Sequence, residues 1–518
     1  MNYPIGLQSF RNIRKNGYLY IDKTGYIPAL LQNGRYKFLS RPRRFGKSLL
    51  VSMLESFFMG ERELFQGLVI DGLMPEPWEI HPVIHLDFSG EDYVDASVLD
   101  NKLHSSLARY ESAIGLHPAN STFSERFRNI VTALHETTGS QVVVLVDEYD
   151  NPITAAIGNP ELQERFRAIL YGFYSSLKSL DEHLYFCLLT GVTKYGHLSV
   201  FSGLNNLLDI SFMNEFAGIC GITDAELHSD LLHPGVQQLA QEEQIGIDSA
   251  FKMLKEWYDG YHFSKSLLDV YNPFSVINSL AQRELADYWY QTGTPTILIK
   301  MLSDHSFDIA RLNGAKASDD MLGNISAMNV NPVALFYQTG YLTIKDYDRS
   351  TRLYTLGYPN KEVESGLMDN VLNIYGHISD SRVLISDLKT YLERGETNDF
   401  VKTLQSFFAN IPFDLRRNIE KYENYYHTIF YVLLRLLGMD IDAEYHTSEG
   451  SIDILIKTDR YIYVIELKIN STASDAIDQI NARHYTAPFE TDSRKIIKLG
   501  IGFAESTHTI DSYLIEDC

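Results

Sequence analysis

Two short stretches of this sequence gather residue types that handle phosphate and divalent metal. The first is FLSRPRRFGKSLL (38–50), which closes an apolar run and opens a helical pattern. Gly46-Lys47-Ser48 stands where a phosphate-binding loop carries G-K-[ST]. Backbone N–H groups at such a helix start point at an anion, and the helix dipole favours it. Lys47 then reaches the β- and γ-phosphates, and the Ser48 hydroxyl holds Mg²⁺. The full G-x-x-x-x-G-K-S pattern needs Gly at position 41, where this chain has Arg41. Arg41, Arg43 and Arg44 either supplement the cradle or mark a different anion site. A second motif follows in order: Val142–Val146 is an apolar run ending in Asp147-Glu148, the Walker B pattern. Asp147 is expected to hold Mg²⁺ and Glu148 to act as general base toward the attacking water. Alone, each motif has a plain structural explanation, a solvated basic turn and a buried strand with a charged end. Together they predict nucleoside triphosphate binding by Arg43, Arg44, Phe45, Gly46, Lys47, Ser48 and Asp147. Thr190 and Thr193 in LTGVTK (189–194), with Lys194 nearby, are candidates to face the γ-phosphate, although strand-end capping explains either threonine equally well. Arg11 and Arg14 are further phosphate-contact candidates.

The second stretch is GSIDILIKTDRYIYVIELK (450–468), which reads as a hairpin turning near Thr458-Asp459. Glu466 and Lys468 are two apart on one strand and so share a face. The turn puts Asp453 opposite roughly position 464 or 465, with Glu466 in diagonal reach. Two carboxylates and an amine on strands this apolar are costly to bury unless they act. Asp453 and Glu466 can hold Mg²⁺, and Lys468 can steady an attacking water, a set suited to phosphodiester hydrolysis. The plain alternative is an edge hairpin with its charges in solvent.

These residues need a scaffold. Short apolar runs at 35–40, 83–89, 141–150 and 183–192 alternate with helical patterns such as Ser48–Phe58 and Leu162–Ser179. That order predicts an α/β fold with a parallel sheet buried on both faces. Residues 216–420 read as mostly helical, interrupted at 341–360 by a hairpin after a helix, which is compatible with a winged helix. A compact α/β unit is expected over 421–518, opened by the apolar helix 423–439. The domain reading is therefore 1–215, 216–420 and 421–518.

At 518 residues, the chain is long enough for roughly three to four domains. Its formal charge of −22 argues against a protein that coats nucleic acid or anionic membrane. Anion binding must then come from a local basic patch or a metal; Arg460, Lys468, Arg483, Arg494, Lys495 and Lys498 are candidates for such a lining. Three cysteines, Cys187, Cys220 and Cys518, are too scattered for a disulfide framework or zinc cluster. No signal peptide or membrane span is read, so the expected location is cytoplasmic and no membrane partner is expected.

Residues from about 4 to 215 resemble an AAA-ATPase-like family of bacterial proteins whose degenerate loop reads R-P-R-R-F-G-K-S, here Arg41 to Ser48. YPIGLQSFRNIRKNGYLYIDKTGYIPALL at the start, VDEYDNP (146–152), LTGVTK, WYDGYHF (257–263), YNPFS (271–275) and GYPNKEV (357–363) carry the same likeness. Residues from about 423 to 504 resemble the PD-(D/E)XK nuclease domain that commonly follows, its motif falling on Asp453 and Glu466-Leu467-Lys468, which implies a restriction-endonuclease-like α/β fold for 421–518. Glu423, Gln479 and Tyr485 match that domain's auxiliary positions. The resemblance implies an ATP- and Mg²⁺-using module joined to a nuclease-type domain acting on nucleic acid, DNA first. The competing reading is a non-enzymatic nucleotide switch or scaffold with a vestigial nuclease domain; a third is a nuclease with a merely structural nucleotide domain. Oligomeric state stays open.

Overall fold

The computed structural model of the chain describes residues 2–74, 78–117, 121–194, 206–292, 298, 309–323, 331–376, 381–409, 422–447, 450–469, 471–504 and 509–517, without the side chains of 292, 310, 374–376, 422–428, 440–447 and 504. The chain divides into two compact units, Met1–Met301 with Arg311–Val363 and Leu302–Ala310 with Glu364–Cys518. The three-way division at 215 and 420 follows sequence type instead and stands as a proposal.

The first unit is built on β1 (Tyr36–Ser40), β2 (Val83–Asp87), β3 (Val142–Asp147), β4 (Leu184–Gly191) and the short β5 (Leu208–Asp209). They lie in the order β2-β3-β4-β1-β5, and all pairs are parallel. The four expected apolar runs are β1 to β4, and β5 is not among them; β3 is buried along its whole length, as a strand covered on both faces must be. Two helices that the sequence reading did not single out, Ala96–Ile114 and Phe123–Thr138, belong to the same unit. α1 (Lys47–Phe58) follows β1 after a six-residue loop. Its N-cap is Gly46 at φ +92, a conformation that suits glycine. Because β4 separates β1 from β3, the ends of all three strands converge below that loop.

The rest of the first unit braces this region. α2 (Pro273–Gln282) begins at an Asn272 cap that accepts from the Phe274 and Ser275 amides. α3 (Pro332–Thr339) leads into a sheet of β6 (Lys316–Ala317), β7 (Thr343–Asp348) and β8 (Leu353–Gly357) in the order β6-β8-β7. This is the expected helix-then-hairpin. Val333 to Gln338 of α3 are all buried, however, so that helix has no open face to lay into a nucleic-acid groove. Gly340, which ends α3, lies so near the loop that a Cβ there would meet Pro42 at 2.7 Å.

In the second unit, α4 (Tyr422–Leu437) precedes a mixed sheet of β9 (Asp440–Thr447), β10 (Gly450–Lys457), β11 (Tyr461–Ile469), β12 (Lys495–Ala504) and β13 (Thr509–Asp517), in that spatial order. Only the β11–β12 pair is parallel, and α5 (Ala473–Ala482) makes the crossover between them. Thr472 and Asp475 close its start as a capping box. Among the described residues, no helix is long and apolar enough to cross a membrane.

Candidate functional site

The first site grows from the loop after β1. Lys47 is 4% exposed, and its Nζ donates to the carbonyls of Arg41 and Pro42, each at 3.1 Å. The loop thus curls around its own lysine, with Arg43, Arg44 and Gly46 on the solvent side. A cavity of about 450 Å³ opens over it, lined in part by Arg43 to Leu50, Glu148 and Asn151. A Cβ added at Gly46 would meet nothing within 4 Å, so the space above the helix start is clear.

Asp147 ends β3 beneath this cavity and is 3% exposed. It accepts from the Thr190 hydroxyl at 2.5 Å and from the Glu148 amide at 3.1 Å. Thr190 reaches it because β4 runs alongside β3. Glu148 lines the cavity with Lys47. Its backbone is at φ +52, an unfavourable state for a residue with a Cβ and one that clusters at functional sites. Burial pushes the Glu148 carboxyl above its ordinary range; Lys47 opposes this, while Asp147, Asp150 and Asp87 reinforce it. A carboxyl so displaced is a better proton acceptor when ionised.

Several sequence candidates lie elsewhere. Arg41 is buried, donating to the carbonyls of Ser40, Ser211 and Phe216, with its guanidinium 4.2 Å over Phe263. The arginine that replaces the motif's first glycine is therefore a tether under the loop and no part of the cradle. Thr193 caps Asp150 through both its amide and its hydroxyl, and Lys194 pairs with Asp209 at 2.5 Å. Arg11 pairs with Glu61, and Arg14 donates to the carbonyls of Leu64 and Gln66. Phe45 lines the same cavity, with its ring buried against Tyr261 and Phe263, which anchors the loop.

Sequence reading missed the brace behind the loop. The Trp289 indole N–H donates to the Arg43 carbonyl at 2.9 Å, and the Trp289 amide donates to Glu362 Oε1 at 2.6 Å. The Ser275 hydroxyl donates to Glu362 Oε2 at 2.7 Å. Burial pushes the Glu362 carboxyl up to about 7, against these donors. Its fully buried position inside GYPNKEV was the available signal.

The second site straddles β10, β11 and α5. Ladder pairing of β10 with β11 runs from Lys457↔Ile462 to Ile454↔Ile465, so Asp453 falls level with Glu466, one to two residues beyond the expected partner. There the strands part, and Asp453 Oδ2 accepts the Leu467 amide at 2.8 Å in place of a ladder bond. Lys468 Nζ donates to Glu466 Oε1 at 3.0 Å and to Gln479 Oε1 at 2.6 Å, and the Gln479 amide also donates to Glu466 Oε1. Glu466 is 1% exposed, and its other oxygen, Oε2, has no hydrogen-bond partner among the described residues. Burial first, then the Asp453 charge, push its carboxyl above the ordinary range, with Lys468 opposing. A buried carboxylate oxygen with no donor is costly, and a cation shared with Asp453 would remove that cost. The residues present therefore fit a divalent metal.

Two glycines make room for this arrangement. In the β11–β12 register, Gly500 lies beside Glu466 and Gly502 beside Lys468. A Cβ on Gly500 would meet the Ala473 carbonyl at 2.4 Å, so glycine lets α5 bring Gln479 down onto the pair. Glu423 lies on α4, with its side chain outside the described residues. Of the expected basic lining, Arg494 pairs with Asp492, Lys495 with Asp517, and Lys498 bonds Asn481.

Comparison with known proteins agrees with both halves. Residues 4–201 match a family described as predicted AAA-ATPase. Residues 421–513 match the PD-(D/E)XK nuclease superfamily. A protein of Azotobacter chroococcum mcd 1, described as an uncharacterized protein in the vnfD 5' region, is 34% identical over 526 residues, covering 99% of this chain and 98% of that protein.

Proposed function

We propose, from the premise that the chain belongs to the AAA-ATPase-like family with a PD-(D/E)XK nuclease-superfamily domain, that it hydrolyses ATP in its first unit and cleaves nucleic-acid phosphodiesters, DNA first, in its second. The observation that carries this is the gathering, in each unit, of one buried and one half-buried carboxylate near a lysine: Asp147 and Glu148 near Lys47, and Glu466 and Asp453 near Lys468.

In the first unit, the Gly46 to Ser48 backbone offers its free amides to the phosphates, and Lys47 exchanges its loop carbonyls for phosphate oxygens. Arg43 and Arg44, exposed at the rim, add positive charge. Ser48 and Asp147 would hold Mg²⁺, and the Thr190 hydroxyl keeps the Asp147 carboxylate turned for it. Glu148 takes a proton from the attacking water. In the second unit, Asp453 and Glu466 would hold Mg²⁺, which when bound acidifies water and offsets charge on the scissile phosphate. Lys468, fixed by Glu466 and Gln479, orients the attacking water.

The test combines phosphate release with a cleavage assay on single- and double-stranded DNA and RNA, in Mg²⁺ or EDTA, with and without ATP. Lys47→Ala should lose nucleotide binding, Glu148→Gln should bind but not turn over, and Asp453→Ala should lose Mg²⁺-dependent cleavage alone. Turnover no higher in wild type than in Glu148→Gln, with no cleavage of any form, would leave a nucleotide-binding scaffold instead.

A further inference from the structure

Away from both sites, the fold brings two histidines together at the starting edge of the first sheet. His135 lies in the last turn of the helix Phe123–Thr138, and His183 is the residue before β4. Their Nδ1 atoms are 2.9 Å apart, with the rings at 78° to each other. Both residues are half-buried, so an ion from solvent can reach them. Neighbouring histidines are engaged otherwise: His85 faces Glu55, and His81 faces the Gln141 carbonyl. Among the described residues, the polar partner of each ring of the pair is the other ring. The backbone holds both in place. The Gly139 amide donates to the His135 carbonyl at 2.8 Å, closing the helix. The His183 amide donates to the Leu180 carbonyl, and the Val142 amide donates to the His183 carbonyl, both at 2.8 Å. Side chains carried on a helix end and a strand start are the support that a metal site needs.

A hydrogen bond between two Nδ1 atoms uses the proton of one ring and the lone pair of the other. No third group fixes that proton at Nδ1, so moving it to Nε2 of the same ring frees both lone pairs. With metal–nitrogen bonds of about 2.0–2.1 Å, a right angle at the metal parts the nitrogens by about 2.9 Å, and a tetrahedral angle by about 3.3 Å. The observed separation suits the right angle, which belongs to copper(II) and nickel(II), and copper(II) heads the divalent series in affinity. We propose that His135 and His183 form a two-histidine site for a divalent transition metal, copper(II) first, bound through both Nδ1 atoms. Among the described residues no third His, Cys, Asp or Glu completes the set, so water takes the remaining positions and the metal is exchangeable. Glu136, Asp181 and Glu182, exposed and adjacent in sequence, attract a cation to the pair. The site is independent of the phosphate loop. β4 runs from Leu184, next to His183, to Gly191, whose carbonyl accepts the Arg41 amide of that loop. At about 3.3 Å per residue, roughly 25 Å separates the two.

The full-length protein would be titrated by calorimetry with Cu²⁺ and separately with Zn²⁺. Glycine would compete for weakly held metal, and excess Mg²⁺ would occupy oxygen-ligand sites. Wild type should bind Cu²⁺ at least about tenfold more tightly than Zn²⁺. The electron paramagnetic resonance spectrum of the copper form should show coupling to two imidazole nitrogens. Loss of even an outer partner of a metal ligand costs about 10–100-fold in affinity, so His135→Gln and His183→Gln should each weaken Cu²⁺ binding at least about tenfold. Copper affinity unchanged in either variant, or a spectrum without two imidazole nitrogens, would overturn the site. Zn²⁺ bound as tightly as Cu²⁺ would overturn the copper assignment. If one variant fails to fold, the other decides, and if both fail, the wild-type spectrum decides.

Discussion

At Glu466 folding and chemistry make opposite demands. Its carboxyl is buried, faces the Asp453 charge and has one oxygen without a donor among the described residues. Its pKa in the folded protein lies above the ordinary 4.5, so the native state binds the extra proton. Stability from this group is complete below pH 4.5 and is lost as pH rises through the raised value. Metal binding needs the opposite, ionised form. Glu466→Gln should accordingly melt higher than wild type at pH 7 to 8 in EDTA, by about 1–2 kcal/mol, while losing cleavage. Thermal melts between pH 4 and 8 check this: the two proteins should converge at the acid end, and Mg²⁺ affinity of wild type should climb with pH. The chemistry-bearing types Asp453, Glu466 and Lys468 were readable from sequence because strand period fixes which neighbours share a face. The missing donor at Oε2 was not, because it depends on where Gln479 of another element comes to rest.

Elements set the reach of these side chains. Gly500→Ala would drive a methyl into the Ala473 carbonyl and lift α5 from the sheet. We expect a loss of about 1–3 kcal/mol in the second unit and loss of cleavage, with ATP binding by the first unit untouched. Differential unfolding followed with and without ATP would separate the two effects. In the first unit, Glu362 accepts from the Trp289 amide, and the Trp289 indole holds the loop at Arg43. The Glu362 carboxyl, pushed from 4.5 to about 7 chiefly by burial, contributes stability below pH 4.5 that is lost as pH rises through about 7. That displacement is worth about 3 kcal/mol. Melting of the first unit should fall between pH 5 and 8, and Glu362→Gln should flatten part of that fall, since buried Glu148 and Asp150 are displaced in the same sense. β1, β3 and β4 of the first sheet were legible as apolar runs because both of their faces are covered. Thr509–Asp517 was not, since as a half-exposed outer strand it carries no such run.

For the molecule as a whole, charge sets how a polyanion is met. The formal charge is −22, and Lys468, Arg494, Lys495 and Lys498 of the expected lining of the second site are each bonded to an acid or an amide. Few counterions are then released on binding. The slope of log affinity against log salt on duplex DNA, measured with Asp453→Ala, should correspond to no more than about three phosphates. A slope equivalent to six or more would reveal a basic surface that the paired residues do not provide.

Residue types and local period determined, by themselves, that a Gly-Lys-Ser turn follows an early strand, that an acid pair ends a later one, and that Glu466 and Lys468 share a face. These are short-range facts, set by the geometry of a helix start or a strand. Only the tertiary structure decided that Arg41 turns under the loop, that Thr190 holds Asp147, and that Trp289 and Glu362 brace Arg43. The physical reason is separation along the chain. Those bonds join residues 43 to 246 positions apart, and which partners meet depends on the path of the strands between them.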